Sequence, residues 1–214
     1  MCFASLFLSI FGGMKKALVI FTFTLLAQLM QGQEAELLNQ ILEKGKSIQS
    51  IEANVHHTKV KDDQTTEQDG TLHYVTPYDM AAIFTTGQHL ITNERKLKID
   101  IGMFHGTFRL RDKGIAESLA NVFLYAFQGR IQDLADENNF DVDIAPAKDF
   151  HTVTVTTRKR RFIGIGFKKA VFKVSASDLC VKEISTTDYK NVVDTYTIHD
   201  EKYNVPVDTN RFRF

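Results

Sequence analysis

The residues that could do chemistry are scattered along the chain rather than grouped in motifs. Seven histidines are present, but the sequence has neither a Gly-x-Ser-x-Gly nucleophile elbow nor a Ser-x-x-Lys pair. Asp141 and Asp143 are two residues apart and would share one face of a strand, where acid pairs are usually solvated. A glycosidase instead needs two carboxylates facing each other across a cleft. The sequence therefore predicts a protein that is not an enzyme.

Metal and cofactor motifs are equally weak. His56 and His57 are adjacent on a predicted strand, so their rings point to opposite faces, which is poor geometry for a shared metal ion. Gly164 and Gly166 match only half of a dinucleotide-binding loop, and no helix follows them, so they indicate a turn. Cys180 is the only cysteine beyond the N-terminal leader and is interpreted as a small buried apolar side chain. No metal and no cofactor are expected.

The first 32 residues are predicted to be an N-terminal extension followed by a cleaved signal peptide. Two lysines follow Met14, the expected true start, and precede an apolar stretch, 17–30, of about fourteen residues. That stretch is shorter than the roughly 20 residues of a membrane-spanning helix. Cleavage would leave residues 33–214 as a single domain in the periplasm.

Charge argues against a nucleic-acid partner. Of the 26 basic and 26 acidic side chains, the leader holds two lysines and no acid, so residues 33–214 carry a net charge of −2. A nucleic-acid-binding domain would show a basic excess, and a monomer is expected. The one dense basic cluster is either a solvated loop or a contact for anionic lipid head groups or an acidic partner. It consists of Arg158, Lys159, Arg160 and Arg161.

Hydrophobic periodicity predicts a helix over residues 33–51 and then two series of short antiparallel strands, separated by a helix from Ile115 to Phe127. Pro77 breaks one strand, which is expected to resume over residues 78–85, and the pattern of residues 102–112 is ambiguous. That second helix is apolar on nearly all sides and must therefore be buried. It either plugs the open side of a curved sheet or forms a mobile lid over a cavity for acyl chains. In the second interpretation the lipid-binding lid residues are Leu119, Val122, Phe123 and Phe127.

Short patterns also recur in a fixed order along the chain. Residues 70–74, Gly-Thr-Leu-His-Tyr, are followed by Pro77, and residues 90–97 predict the next hairpin. The C-terminal strands and the closing Asp-x-x-x-Phe-x-Phe pattern are found at 172–174, 181–184, 189–198 and 208–214. In this order, over nearly all of residues 33–214, the chain resembles the LolA family of periplasmic outer-membrane lipoprotein carriers.

The resemblance implies an α+β fold: an incomplete antiparallel β-barrel, a strongly curved sheet, with an N-terminal helix and a helical lid over an apolar cavity. It implies a carrier that shields the acyl chains of lipoproteins in transit from the inner to the outer membrane. Its partners would be acylated lipoproteins or lipids, a releasing transporter of the inner membrane and an outer-membrane receptor. The family commonly has an Arg before the proline that helps hold the lid closed, where this chain has Thr76.

Eight strand residues are candidates for the wall of the cavity, although a shift of one residue in register would invert their faces. They are Leu72, Tyr74, Phe84, Ile99, Val153, Val155, Phe172 and Val181. Two alternatives to a lipoprotein carrier are a LolA-like lipid-sensing regulatory module of the cell envelope and a carrier of another lipidic cargo. A third is an exported hydrolase of lipidic esters.

Overall fold

The computed structural model describes residues 32–94, 96–101, 104–109, 115–138, 140–157 and 167–213, without the side chains of 104, 115–119 and 135–138. The chain divides into two compact units, Met1–Asn39 and Gln40–Phe214. Helix α1 (32–46) begins in the first unit, and its residues 40–46 belong to the second. The predicted signal peptide up to residue 31, the basic cluster 158–161 and the glycines of 164–166 lie outside the described residues.

Eleven antiparallel strands form one sheet in the second unit. The two predicted strand series join where β1 pairs with β11, and β6 and β7 are the two edges, so the sheet is open. The predicted fold class, α+β with an incomplete antiparallel barrel, is confirmed. The strands are β1 Ser50–Lys61, β2 Gln64–Val75, β3 Asp79–Phe84, β4 His89–Asn93, β5 Lys96–Ile101, β6 Phe104–Arg109, β7 Phe140–Ala145, β8 Phe150–Thr157, β9 Phe167–Ser175, β10 Val181–Asp188 and β11 Val193–Tyr203.

Helices α2 (Ile115–Phe127) and α3 (Ile131–Asn138) connect the two edge strands, and a 3₁₀ turn (Thr209–Phe212) lies near the C-terminus. The predicted end of the first helix at residue 51 was wrong, because α1 ends at residue 46. The amides of Ser47 and Ile48 donate to the carbonyls of Lys44 and Gly45, each at 3.0 Å. These three-residue bonds tighten the last turn and release the chain into β1.

Apolar residues alternate along the strands and define an inner face of the sheet. On β1, Ile51, Ala53 and Val55 are buried while the residues between them are more exposed. Opposed residues of antiparallel strands share a face, and Ile51 is opposite Tyr74 while Ala53 is opposite Leu72. Alternation therefore gives each strand one apolar side, and the register joins these sides into one surface.

Two ambiguous stretches of the sequence take definite forms. The β2 strand was predicted to resume after Pro77, but the chain reverses there, and β3 returns antiparallel with Asp79 opposite Val75. Proline lacks the amide hydrogen that a continuing strand would need, and its fixed φ suits a turn. Residues 104–109, for which the pattern was ambiguous, form the edge strand β6 paired with β5.

The C-terminal segment, residues 204–213, packs on the outer face of the sheet. Phe212 is buried in a cluster with Ala81 of β3 and Ile91 of β4. The side chain of Asn204 accepts from the amide of Gln49 at 2.7 Å and donates to the carbonyl of Ser47 at 3.1 Å. These bonds fix the start of the segment to the turn between α1 and β1.

Candidate functional site

All eight strand residues proposed as a cavity wall lie on the inner face. Val153 is opposite Phe172, which is opposite Ile184 of β10, and Leu72 is opposite Ala82 of β3. The eight are each at most 6% exposed; they are Leu72, Tyr74, Phe84, Ile99, Val153, Val155, Phe172 and Val181. One continuous apolar surface therefore runs across both halves of the sheet.

Helix α2 covers part of this surface with aromatic side chains. Val122, Phe123 and Phe127 are buried, whereas the side chain of Leu119 lies outside the described part of the chain. The ring of Phe123 meets that of Tyr196 edge-on at 4.9 Å, and the ring of Phe127 lies 5.5 Å from that of Tyr74. Aromatic pairs at these distances add about 0.5–1.5 kcal/mol each beyond the area they bury.

These rings are buried between α2 and the sheet. A cavity of about 10 Å³ lies near the C-terminal end of α2, beside Phe127, Ile51 and Ile198. That volume is about the minimum for one water molecule. A hydrocarbon chain does not fit in this cavity.

The C-terminal end of α2 carries a polar latch to the turn after β2. Nε2 of Gln128 donates to the carbonyl of Pro77 at 2.5 Å, and Nη1 of Arg130 donates to Oε1 of Gln128 at 3.2 Å. Thr76 and Gln128 also approach the Tyr74 hydroxyl, but within the described part of the chain neither satisfies it with a well-directed bond. Burial raises the pKa of Tyr74, so this phenol stays protonated.

The latch residue was missed by sequence reasoning. The resemblance drew attention to Thr76, where the family has an Arg that holds the lid. Here the bond runs in the opposite direction, from a lid side chain to the carbonyl of Pro77. A polar side chain directly after an apolar helix was the available signal, but its partner is 51 residues away in sequence.

Two glycines bring the same end of α2 against α1. A Cβ on Gly45 would lie 2.1 Å from the backbone carbon of Gln128, and one on Gly129 would lie 2.2 Å from the carbonyl oxygen of Ile41. Real side chains cannot approach backbone so closely, so both positions require glycine. Gly129 also has a φ of +69°, which favours glycine independently.

The opposite end of the inner face carries a hydrogen-bonded polar network. Nδ1 of His57 accepts from Nε2 of Gln68 at 2.9 Å, and Nε2 of His57 donates to Asp194 at 2.8 Å. Gln68 also donates to Oε1 of Gln88 at 2.9 Å and accepts from the Thr86 hydroxyl. We name this network, with the neighbouring lysine, the polar rim: His57, Lys59, Gln68, Thr86, Gln88 and Asp194.

The hydrogen bonds of the rim engage both ring nitrogens of His57. Nδ1 accepts from Gln68 and Nε2 donates to Asp194. The ring also stacks on Tyr196 at 4.4 Å with an interplanar angle of 5°. His57 is a fixed, largely buried group that joins the polar rim to the aromatic rings under α2.

The other side chains that could take part in chemistry are exposed to solvent, held protonated, or paired on the outer face. Asp141 and Asp143 are exposed on an edge strand, as their spacing predicted. Cys180 is buried, and burial raises the pKa of its thiol, so it lacks the thiolate of a reactive cysteine. The imidazole of His56 bonds Asp69 on the outer face, away from His57. Within the described ranges, no three His, Cys, Asp or Glu side chains are placed to hold a metal ion.

The described helices include none with the length and apolar character needed to cross a membrane. The fold and site thus define an open antiparallel sheet whose inner face is apolar, bears a polar rim at one end and is covered by one aromatic helix.

No family model and no curated protein match the chain. A LolA superfamily protein from Nitrosomonas europaea has a TM-score of 0.40 and 12% identity, covering 82% of this chain and 97% of that one. A Vibrio parahaemolyticus domain named for outer membrane lipoprotein sorting has a TM-score of 0.42 and 8% identity, covering 83% and 94%. The Pseudomonas aeruginosa MucA/MucB complex gives 0.45 and 8%, covering 84% and 60%. These similar structures include a member of the family that the sequence resembles.

Proposed function

We propose that this protein is a non-enzymatic periplasmic carrier that shields acyl chains of lipoproteins between the inner and outer membranes. The observation that carries the proposal is the inner face. Eight buried apolar residues from six strands form one surface, and α2 covers it through side-chain contacts. A helix held in this way can move without breaking the hydrogen bonds of the sheet.

The energies of burial set the size of cargo that could displace α2. Exposing Val122, Phe123 and Phe127 costs about 1.5–3 kcal/mol each, or roughly 5–9 kcal/mol in total. Each methylene of an acyl chain contributes about 0.8 kcal/mol on burial. Roughly ten buried methylenes therefore offset the lost lid contacts, which one long acyl chain supplies. Cargo with two or three chains gains enough beyond that for useful affinity.

The proposal also includes the loading of the lipoprotein cargo and its delivery to a receptor. An inner-membrane transporter would load the cargo, and an outer-membrane receptor with a better site would remove it, as the resemblance to the LolA family implies. The basic cluster at 158–161 is proposed as a contact for the receptor or for lipid head groups. Leu119 is proposed as a further lid contact.

Mass spectrometry of co-purifying lipid and a lid substitution test the proposal. The exported protein, extracted gently, is expected to carry acylated molecules. Phe123→Asp places a charge on the apolar surface that would contact the acyl chains, so binding of a diacylated peptide should fall at least about tenfold, equivalent to 1.4 kcal/mol. Phe123→Leu retains an apolar side chain and should bind nearly normally.

Phe150→Asp is the matched control, because Phe150 is exposed at the start of β8. It should bind the diacylated peptide like the wild type. Far-UV circular dichroism checks that each variant is folded. Wild-type affinity in folded Phe123→Asp would refute the lid assignment, and a wild type that binds no acylated ligand would refute the carrier.

The packed interior favours a second candidate, a lipid-sensing regulatory module. A protein whose interior is filled by Phe123 and Phe127 is closed without lipid, so the movement of α2 could itself be the signal. Transfer to acceptor vesicles distinguishes the two. A carrier hands its cargo on when acceptor is in excess, whereas a sensor keeps its lipid and changes its affinity for a protein partner.

A further inference from the structure

The inner face changes in polarity along each central strand. On β1 the inward residues Ile51, Ala53 and Val55 are followed by His57 and then by Lys59. The first three are buried and apolar, His57 is buried and polar, and Lys59 is partly exposed. The strand therefore passes from an apolar to a polar environment within one face.

Neighbouring strands repeat the change at the same level. On β2 the inward residue Leu72 is succeeded towards the hairpin by Gln68, and on β11 Ile198 and Tyr196 are succeeded by Asp194. The register places these polar residues beside one another, and the hydrogen bonds of the polar rim confirm their contact. A bound amphiphile gains most when its own polarity runs the same way.

The polar rim is electrically balanced. Nζ of Lys59 lies 3.8 Å from Oδ1 of Asp194, and the His57 ring accepts at Nδ1 and donates at Nε2. Among the six described residues of the polar rim, one cation thus faces one anion, so the rim itself offers no unpaired cation to a phosphate or carboxylate. An anionic head group would lose its hydration here without gaining an unpaired cation.

The rim nevertheless has donors for uncharged acceptors. The side-chain nitrogen Nε2 of Gln88 forms no hydrogen bond within the described ranges, and Gln88 is only partly buried. The Lys59 ammonium has three donors and, among the residues that the structure describes, one partner at 3.8 Å. Ester and amide carbonyls accept hydrogen bonds without carrying charge, so they match this donor set.

We propose that the polar rim binds the uncharged ester or amide head of a glyceride-type acyl cargo, with the hydrocarbon chains extending towards Ile51 and Tyr74. The inference rests on the proposed function and adds its head-group class and the direction of the cargo. Gln68 holds the rim together as the residue that joins His57, Thr86 and Gln88.

Two lipids with identical chains test head-group class. Dioleoylglycerol has an uncharged head, and dioleoyl phosphatidic acid has the same two chains with a phosphate. Binding to the full chain is measured by competition with a fluorescent acyl probe. We expect dioleoylglycerol to bind at least about tenfold more tightly. Equal affinity, or preference for the phosphatidic acid, overturns this inference while leaving the carrier intact.

Rim variants give the matched comparison. Gln88→Leu and Gln68→Leu should each weaken dioleoylglycerol binding about tenfold, the effect of one lost hydrogen bond, and should reduce its advantage over phosphatidic acid. Gln132→Leu, at an exposed position of α3, should change neither. A thermal unfolding midpoint near that of the wild type shows that a variant is folded. Unchanged binding in both folded rim variants overturns the inference, whereas failure of the wild type to bind either lipid refutes the proposed function itself.

The direction of the cargo has its own measurement. Dioleoylglycerol analogues carry a photoreactive diazirine either at the end of a chain or beside the ester. The chain-end label should crosslink to peptides containing residues 48–55 or 72–82, and the ester label to peptides containing 57–68 or 84–90. The reverse distribution overturns the proposed direction.

Discussion

Two elements cover opposite faces of the sheet, and they are held in different ways. On the inner side, α2 packs aromatic rings against Tyr74 of β2 and Tyr196 of β11, and the side chain of Gln128, just after its end, donates to the carbonyl of Pro77. On the outer side of β3 and β4, the C-terminal segment inserts Phe212 and is fixed by hydrogen bonds at Asn204 and at the carbonyl of Phe212. In the proposed function, the inner cover is the one that moves.

The C-terminal segment is expected to show the largest stability effect. Phe212→Ala leaves a cavity between β3, β4 and the segment, so the free energy of unfolding should fall by about 3–5 kcal/mol. Urea denaturation measures this loss. Lipid affinity of the folded fraction should stay unchanged, and a change in that affinity would show that the outer cover also participates in binding.

A single methyl group added where α1 contacts the end of α2 should destabilise the folded protein. Gly45→Ala would improve helix propensity by about 1 kcal/mol, but its Cβ would lie 2.1 Å from the backbone of Gln128. Overpacking costs about 1–3 kcal/mol, so the variant should unfold more easily. Gly87→Ala is the control because nothing lies within 4 Å of its Cβ, although its φ of +87° adds strain. A stabilised Gly45→Ala would contradict the close backbone contact.

A matched pair of amide substitutions sharpens the comparison of the two covers. Gln128→Ala removes the latch on the inner side, and Asn93→Ala removes the bond from Asn93 to the carbonyl of Phe212 on the outer side. Each should cost about 0.5–1.5 kcal/mol of stability. Stopped-flow uptake of a fluorescent acyl probe should become faster only in Gln128→Ala. Equal rates in both variants would show that Gln128 does not restrain α2.

The smallest expected effect is a pH dependence of the outer cover. Burial, and then the positive charge of Arg211, lowers the pKa of His73, with Glu52 and Asp208 opposing. The His73 imidazole therefore binds a proton more tightly in the unfolded chain than in the folded protein. The stability that His73 contributes is present above the usual histidine pKa of 6.5 and is lost as pH falls through the lower pKa of the folded state. His73→Gln should flatten the stability curve between pH 7 and 5, and an unchanged slope would refute this assignment.

The sequence predicted the strands and α2 because their patterns are local. Alternation along β1 and β2 shows a half-buried strand, and the apolar character of residues 115–127 shows a buried helix whatever it contacts. The patterns were misleading at the end of α1, where the apolar period continued through Ile48 beyond the helix, and after Pro77, where the chain reverses instead of resuming the strand.

Tertiary structure alone decided how these elements combine. A shift of one residue would have sent Leu72 and Tyr74 to the outer face, so only the pairing of strands established the inner one. The His57–Asp194 contact spans 137 residues, and the Gln128–Pro77 bond spans 51. Whether α2 covers an open hollow or fills it depends on how side-chain volumes meet in space, because packing belongs to pairs of surfaces while periodicity belongs to single segments.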